Sequence, residues 1–174
     1  MAEDKLFSEF TVKNTKFKNR IGLAAMTRTS SPGDSIPRKD VRDFLVRRAQ
    51  KDVGVVFTEA VLTDYESAQG YPRQSRMVTQ RQVDAWRPVV RAIQDAGSVA
   101  ILQMFHCGRV AWPEINPAGR IISPSPVAPK QNNPLTGNPY PVPDEMSRLD
   151  IDHVIQGFVE TAKGAMAAGF DGVE

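Results

Sequence analysis

Cysteine is nearly absent from this chain: Cys107 is the single one among 174 residues. One thiol builds no internal disulfide framework and suits a reducing compartment. Charge of one sign is in no excess either. Lys and Arg number 22 against 20 Asp and Glu, a net of +2, and the basic residues are scattered. That argues against the concentrated basic surface of a nucleic-acid or membrane-surface binder. No apolar run approaches membrane-spanning length. Residues Met1 to Lys5 carry no apolar stretch of the secretory kind. The expectation from these absences is a cytoplasmic protein without nucleic-acid or membrane partners. There is also no Gly-x-Gly-x-x-Gly after the first apolar strand and no Walker-type loop, so the usual phosphate cradles of open nucleotide-binding sheets are missing.

What is present is ordinary in amount and ordered in pattern. Hydrophobic residues make up 41% and charged ones 24%, enough at this length for one domain with a real core. Two short extended pieces, residues 10–12 and 16–18, flank Asn14-Thr15 and read as a hairpin. Arg20 to Ala25 reads as a first buried strand, Val53 to Ala60 as a second and Val99 to Phe105 as a third. Between them, residues 38–51 show a helical stripe of Val41, Phe44, Leu45 and Ala49. Residues 80–96 show another, of Val83, Trp86, Val90 and Ile93, stopped by Gly97. Pro88 predicts a kink or a late start in that helix. Residues 106–149 form a long proline-rich loop, a length that goes with function or disorder. Asp150 is expected to cap a third helix, whose stripe is Ile151, Val154, Ile155, Phe158, Val159 and Ala162. Gly169 ends it, and Phe170 to Glu174 opens a fourth strand.

Strand–helix alternation of this kind predicts a parallel sheet with right-handed crossovers, either an open doubly wound sheet or a barrel. In a barrel the strand tips converge on one face. Here they present Ala25-Met26-Thr27-Arg28, Glu59-Ala60, and Gln103 with His106. A hydroxyl, a small residue and a primary amide form a set able to read the edge of a heterocycle, because an amide donates and accepts at once. Each has a plainer reading. Gln103 can cap its strand, and Thr27 can serve a turn. Glu59 is either a general base or a buried paired charge, with the second favoured. Arg28 reads as a solvated loop charge. Arg109 either orients the long loop through carboxylates or serves function. His106 has no acidic partner nearby in sequence and reads as a packing residue, and Cys107 as a small buried one. Two neighbouring ligands without others at metal-ligand spacing predict no metal site.

Taken in order, several segments resemble the N-terminal part of the Old Yellow Enzyme family of FMN-dependent ene-reductases. They are Leu6-Phe7, Val12-Lys13-Asn14, Lys18-Asn19-Arg20-Ile21, Ala25-Met26-Thr27-Arg28, Phe57-Thr58-Glu59-Ala60, Gln103 to Arg109, Ser123-Pro124-Ser125 and Gly169 to Glu174. The resemblance implies an α/β fold: the N-terminal half of a TIM (β/α)8 barrel, with an N-terminal β-hairpin and a long loop after the third strand. It implies one partial barrel domain over residues 1–174, comprising strands one to four, with the C-terminal half absent. It implies FMN at the carboxyl ends of the strands, NAD(P)H as reductant and an electrophilic alkene as substrate. By position, Thr27 would stand near the flavin C4 carbonyl, and Ala25, Met26 and Ala60 would supply backbone contacts. Gln103 would bind the pyrimidine edge, and Phe105 would face the substrate. Ala25 departs from the family's usual Pro. The family's substrate-gripping His with its Asn or second His, its proton-delivering Tyr, its flavin Arg and its phosphate loops would fall beyond Glu174, so no catalytic residue is expected within the chain. The alternative is a non-catalytic truncated half-barrel that associates with itself or with a complementary C-terminal chain.

Overall fold

The structure is a computed structural model and describes residues 5–134 and 136–174; most of the segment used for the secretory reading lies outside them. After a 3-10 turn at Lys5–Phe7, strands β1 (Phe10–Val12) and β2 (Thr15–Phe17) pair antiparallel, with Phe10 opposite Phe17. Thr15 already pairs with Val12, so the turn is Lys13-Asn14, one residue earlier than Asn14-Thr15. Lys13 takes the left-handed φ of 52° that such a tight turn requires.

The main sheet holds four parallel strands: β3 (Gly22–Leu23), β4 (Val55–Leu62), β5 (Val99–Phe105) and, at its far edge, the strand Gly172–Val173. They lie side by side in sequence order. The sheet is therefore wound in one direction, without the reversal of strand order that makes a doubly wound sheet. The first strand is much shorter than the expected Arg20–Ala25. Beyond Leu23 the backbone leaves the ladder to form the loop at the strand tips.

Helices α1 (Lys39–Ala49) and α2 (Gln80–Asp95) carry their expected stripes into the core, with Val41, Leu45, Ala49, Val83, Trp86, Val90 and Ile93 all buried. A capping box in which Thr79 and Gln82 hydrogen-bond each other's backbone fixes the start of α2 at Gln80. The late start suggested by Pro88 does not occur. Pro88 sits on the solvent side, where its ring meets no packing partner in the core.

The third helix departs further. Before it, β6 (Ile122–Ser123) and β7 (Asp144–Glu145) pair in parallel and two 3-10 turns, Gly108–Val110 and Pro113–Ile115, fold the chain after β5. The long loop is thus a built module. Cys107, Ala111 and Ile121 form its own small core, against which Phe105 packs. Arg120 clips it to the helix, donating to Asp144 at 2.8 Å and to Asp150 at 2.7 Å. Helix α3 (Arg148–Ala168) is capped by Ser147, with Asp150 three residues on as its reciprocal partner. Asp150 is not the cap itself. Nor does the expected stripe face the core: Ile155 is 57% exposed and Val159 40%. The buried side is Thr161, Ala165 and Ala168. Small residues let the helix approach closely there. A Cβ at Gly157 would stand 3.0 Å from the Thr63 carbonyl oxygen, and one at Gly164 3.1 Å from the Met77 side chain. Gly169 at φ 95° ends α3, and the edge strand just named, β8 (Gly172–Val173), follows.

Candidate functional site

The strand tips owe their arrangement to a bulge in β4. Phe57 pairs with Ile101, but the next pair is Ala60 with Gln103. Three steps along β4 match two along β5. Side chains alternate along a strand, so the extra residue exchanges the faces beyond it. Phe57 shares a face with Ile101; past the bulge, Ala60 rather than Glu59 shares the face of Gln103. Thr58 repairs the interrupted ladder. Its fully buried hydroxyl accepts from the Gln103 N–H at 3.1 Å and donates to the Glu59 carbonyl at 2.9 Å.

Glu59, turned away from that face, holds the neighbouring loop. Its carboxylate accepts from the Ser75 hydroxyl at 2.5 Å, from Ser31 at 3.4 Å and from the Arg28 N–H at 3.2 Å. It is buried, 4% exposed, but it is not the paired charge expected: its partners are neutral donors. Arg28 is no solvated charge either. Its guanidinium stacks 3.9 Å from the Phe44 ring centre, with Arg48 3.6 Å from the same ring. Glu59 thus holds the backbone of Arg28, the residue after Thr27, against β4.

Of the candidate residues, the register brings Ala60 and Gln103 together. Ala25 and Thr27 are half-buried in the first loop and Met26 is 59% exposed. Ala60 is buried at 3% exposure, opposite Gln103. The Gln103 amide reaches Glu174 Oε2 at 3.3 Å, and Glu174 extends the β8 ladder through its own N–H and carbonyl, bonding Leu102 O and Met104 N. Thr58 and Glu174, the hydrogen-bond partners of Gln103, are what pattern reading missed. A threonine at a bulge leaves no periodic signal. Phe105 is half-buried against the loop module.

His106 does have an acidic partner, contrary to expectation. Asp64, 42 positions earlier, brings Oδ2 to 3.2 Å from its Nε2. Ser67 Oγ approaches the same nitrogen at 3.2 Å, while Nδ1 accepts from the Gly108 N–H at 3.0 Å. Nδ1 therefore carries no proton. A Ser-His-Asp triad needs the acid and the hydroxyl on opposite nitrogens, so this cluster ties loops together and generates no nucleophile. Burial pushes the Asp64 carboxyl up, but His106 and the N–H groups of Ser67 and Ala68 outweigh it and hold it below the usual carboxylate value. Burial pushes the Cys107 thiol up to about 12, which makes it inert. Arg109 orients the long loop through the Val127 carbonyl at 2.8 Å and Ser125 Oγ at 3.2 Å, not through carboxylates.

A family model described as NADH:flavin oxidoreductase / NADH oxidase matches residues 5–174. The chain is 34% identical to a putative 12-oxophytodienoate reductase 4 of Oryza sativa subsp. japonica, over 99% of this chain and 44% of that protein. It is 31% identical to a chanoclavine-I aldehyde reductase of Penicillium roqueforti, over 98% of this chain and 45% of that one. Among solved structures, an Old Yellow Enzyme homologue from Zymomonas mobilis superposes with a TM-score of 0.86 at 29% identity, covering 97% of this chain and 47% of the other. The chain thus spans under half the length of these relatives.

Proposed function

The chain belongs to the NADH:flavin oxidoreductase / NADH oxidase family, and we propose that it forms the N-terminal half of a TIM (β/α)8 barrel in an FMN-dependent ene-reductase. In this reading the reductant is NADH or NADPH and the substrate an alkene activated by an electron-withdrawing group. FMN, when bound, supplies the hydride relay between the two. The residues present fit that group chemically. The Thr27 hydroxyl has no hydrogen-bond partner among the described residues. The Gln103 amide projects beside Ala60, a side chain too small to obstruct a flat ring. Gln103 would hold the pyrimidine edge and Thr27 the C4 carbonyl, with backbone contacts from Ala25, Met26 and Ala60. Phe105 would face the substrate. The resemblance assigns the grip on the alkene's activating group and the proton delivery to the part of the relatives that this chain does not span.

The observation that carries the proposal is the Ala60–Gln103 pair, set on one face by the β4 bulge. Titration of FMN fluorescence with the chain tests it. Saturable quenching is expected, with Gln103→Ala raising the dissociation constant about tenfold, the size of one strong hydrogen bond. Equal constants for the two proteins would remove Gln103 from the flavin edge. Absence of saturation would mean that these residues hold no flavin by themselves.

The exposed stripe of α3 favours association as a second reading. Ile155, Val159 and Met166 are 57%, 40% and 76% exposed, an apolar helix face open to a partner. Sedimentation velocity should find the purified chain associated, with itself or with an added C-terminal half. A monodisperse monomer with no affinity for that half would refute this reading.

A further inference from the structure

Glu174 stands beside Gln103 because the sheet puts it there. Ile101 pairs with Gly172 and Leu102 with Val173 in parallel register. The Glu174 N–H donates to the Leu102 carbonyl at 2.8 Å, and its own carbonyl accepts from the Met104 N–H at 2.9 Å. One step further along, the register sets Glu174 level with Gln103, as Ala60 is on the other side. Residues level with each other on neighbouring strands share a face. The side-chain contact, Gln103 Nε2 donating to Glu174 Oε2 at 3.3 Å, thus follows from backbone fixed on both strands.

The chemistry of that contact is one-way. A carboxylate accepts and does not donate, whereas a primary amide does both, from opposite ends. Glu174 therefore holds the Gln103 amide only by its nitrogen. Turned over, the amide would set Oε1 against Oε2, acceptor against acceptor. Held as it is, it keeps Oε1 and the second Nε2 proton for a ligand. Oε1 has no hydrogen-bond partner among the described residues. A glutamine in place of Glu174 could accept or donate, and would leave the Gln103 amide free to turn.

We propose that Glu174 is a positioning residue: it fixes the Gln103 amide with Oε1 turned to the ligand, so that the site selects a ring edge carrying an unsubstituted imide N–H. This rests on the flavin reading of Gln103, since the flavin ring has such an N–H at N3, between two carbonyls. Fluorescence titration of the chain with FMN and with N3-methyl-FMN tests it, in wild type and in Glu174→Gln. Wild type is expected to prefer FMN about tenfold, the size of one strong hydrogen bond. Glu174→Gln is expected to cut that preference about threefold or more. A merely structural loss would weaken both flavins alike; an unchanged ratio would overturn the proposal. The free chain gives a second readout. In nitrogen-edited NMR, the Gln103 side-chain proton facing Glu174, assigned by its absence in Gln103→Ala, is expected to move upfield in Glu174→Gln and to exchange faster with water. The backbone amides of Leu102 and Met104 should stay in place. A side-chain proton that neither shifts nor exchanges faster would also overturn the proposal. If neither flavin saturates while that proton shifts, the orientation of the amide stands and the flavin reading alone fails.

Discussion

Replacing Thr58 with valine isolates the repair of the β4 bulge. Valine keeps the shape and the β-branched preference for a strand, so backbone propensity and packing volume change little. Two hydrogen bonds disappear. The Gln103 N–H loses its acceptor at 3.1 Å and the Glu59 carbonyl loses its donor at 2.9 Å. The hydroxyl they share is fully buried, so water does not readily replace it. Each buried group left unsatisfied costs about 1–3 kcal/mol; the carbonyl, with a second lone pair, stands at the low end. The expected loss is about 2–4 kcal/mol, a large share of the 5–15 kcal/mol typical of a folded domain. Urea unfolding measures it, with an unchanged m-value showing that the same surface is exposed. Hydrogen exchange supplies the local readout, since the Gln103 amide should lose protection well beyond its neighbours Leu102 and Met104. A loss under about 0.5 kcal/mol, or a Gln103 amide as protected as before, would refute the assignment of Thr58 as a surrogate ladder acceptor.

Two further outcomes follow from the loop cluster. Cys107 should not react with a disulfide reagent at pH 8 while the chain is folded, because its thiol titrates near 12 and its sulfur is packed against Gly70; reaction at the rate of an unfolded control would show that the site is open. Asp64→Asn keeps an acceptor for the Ser67 and Ala68 N–H groups and removes the charge. The folded carboxyl titrates below the unfolded one, so its contribution is present above about pH 4 and fades as acid takes the pH down through the folded value. The stability gap between wild type and Asp64→Asn should therefore narrow between about pH 5 and pH 2; a constant gap by urea midpoint would contradict it.

Elements governed by local chemistry were legible in the sequence. Val99–Phe105 needs only its apolar run, and the end of α3 needs only Gly169, which adopts a left-handed turn at little cost. Elements governed by partners distant in sequence were not. The stripe through Ile151, Ile155 and Val159 has the right period for a buried face. Which face is buried is decided instead by Gly157 and Gly164, where the backbone of α3 meets Thr63 and the side chain of Met77. Apolar periodicity does not register a contact made through glycine. The site divides the same way. Gln103 and Ala60 stand out as strand ends. That they share a face depends on one inserted residue, and simple alternation from Phe57 would put Glu59 there instead. His106 looked solitary because Asp64 is far away in sequence and adjacent only once β4 and β5 pair.

The order of the sheet also governs the sequence of events as the chain is made. Every main-sheet strand pairs only with its neighbours along the chain, so each new strand leaving the ribosome finds its docking edge already present. β4 can settle on β3, and β5 on β4, while later residues are still being synthesised. The loop module is the exception. Arg120 emerges before either of its partners, Asp144 and Asp150, and Asn116 must reach back to Gln69. Strand pairing can thus advance steadily from the amino end, while the loop beside the strand tips takes shape only after its own last residues arrive.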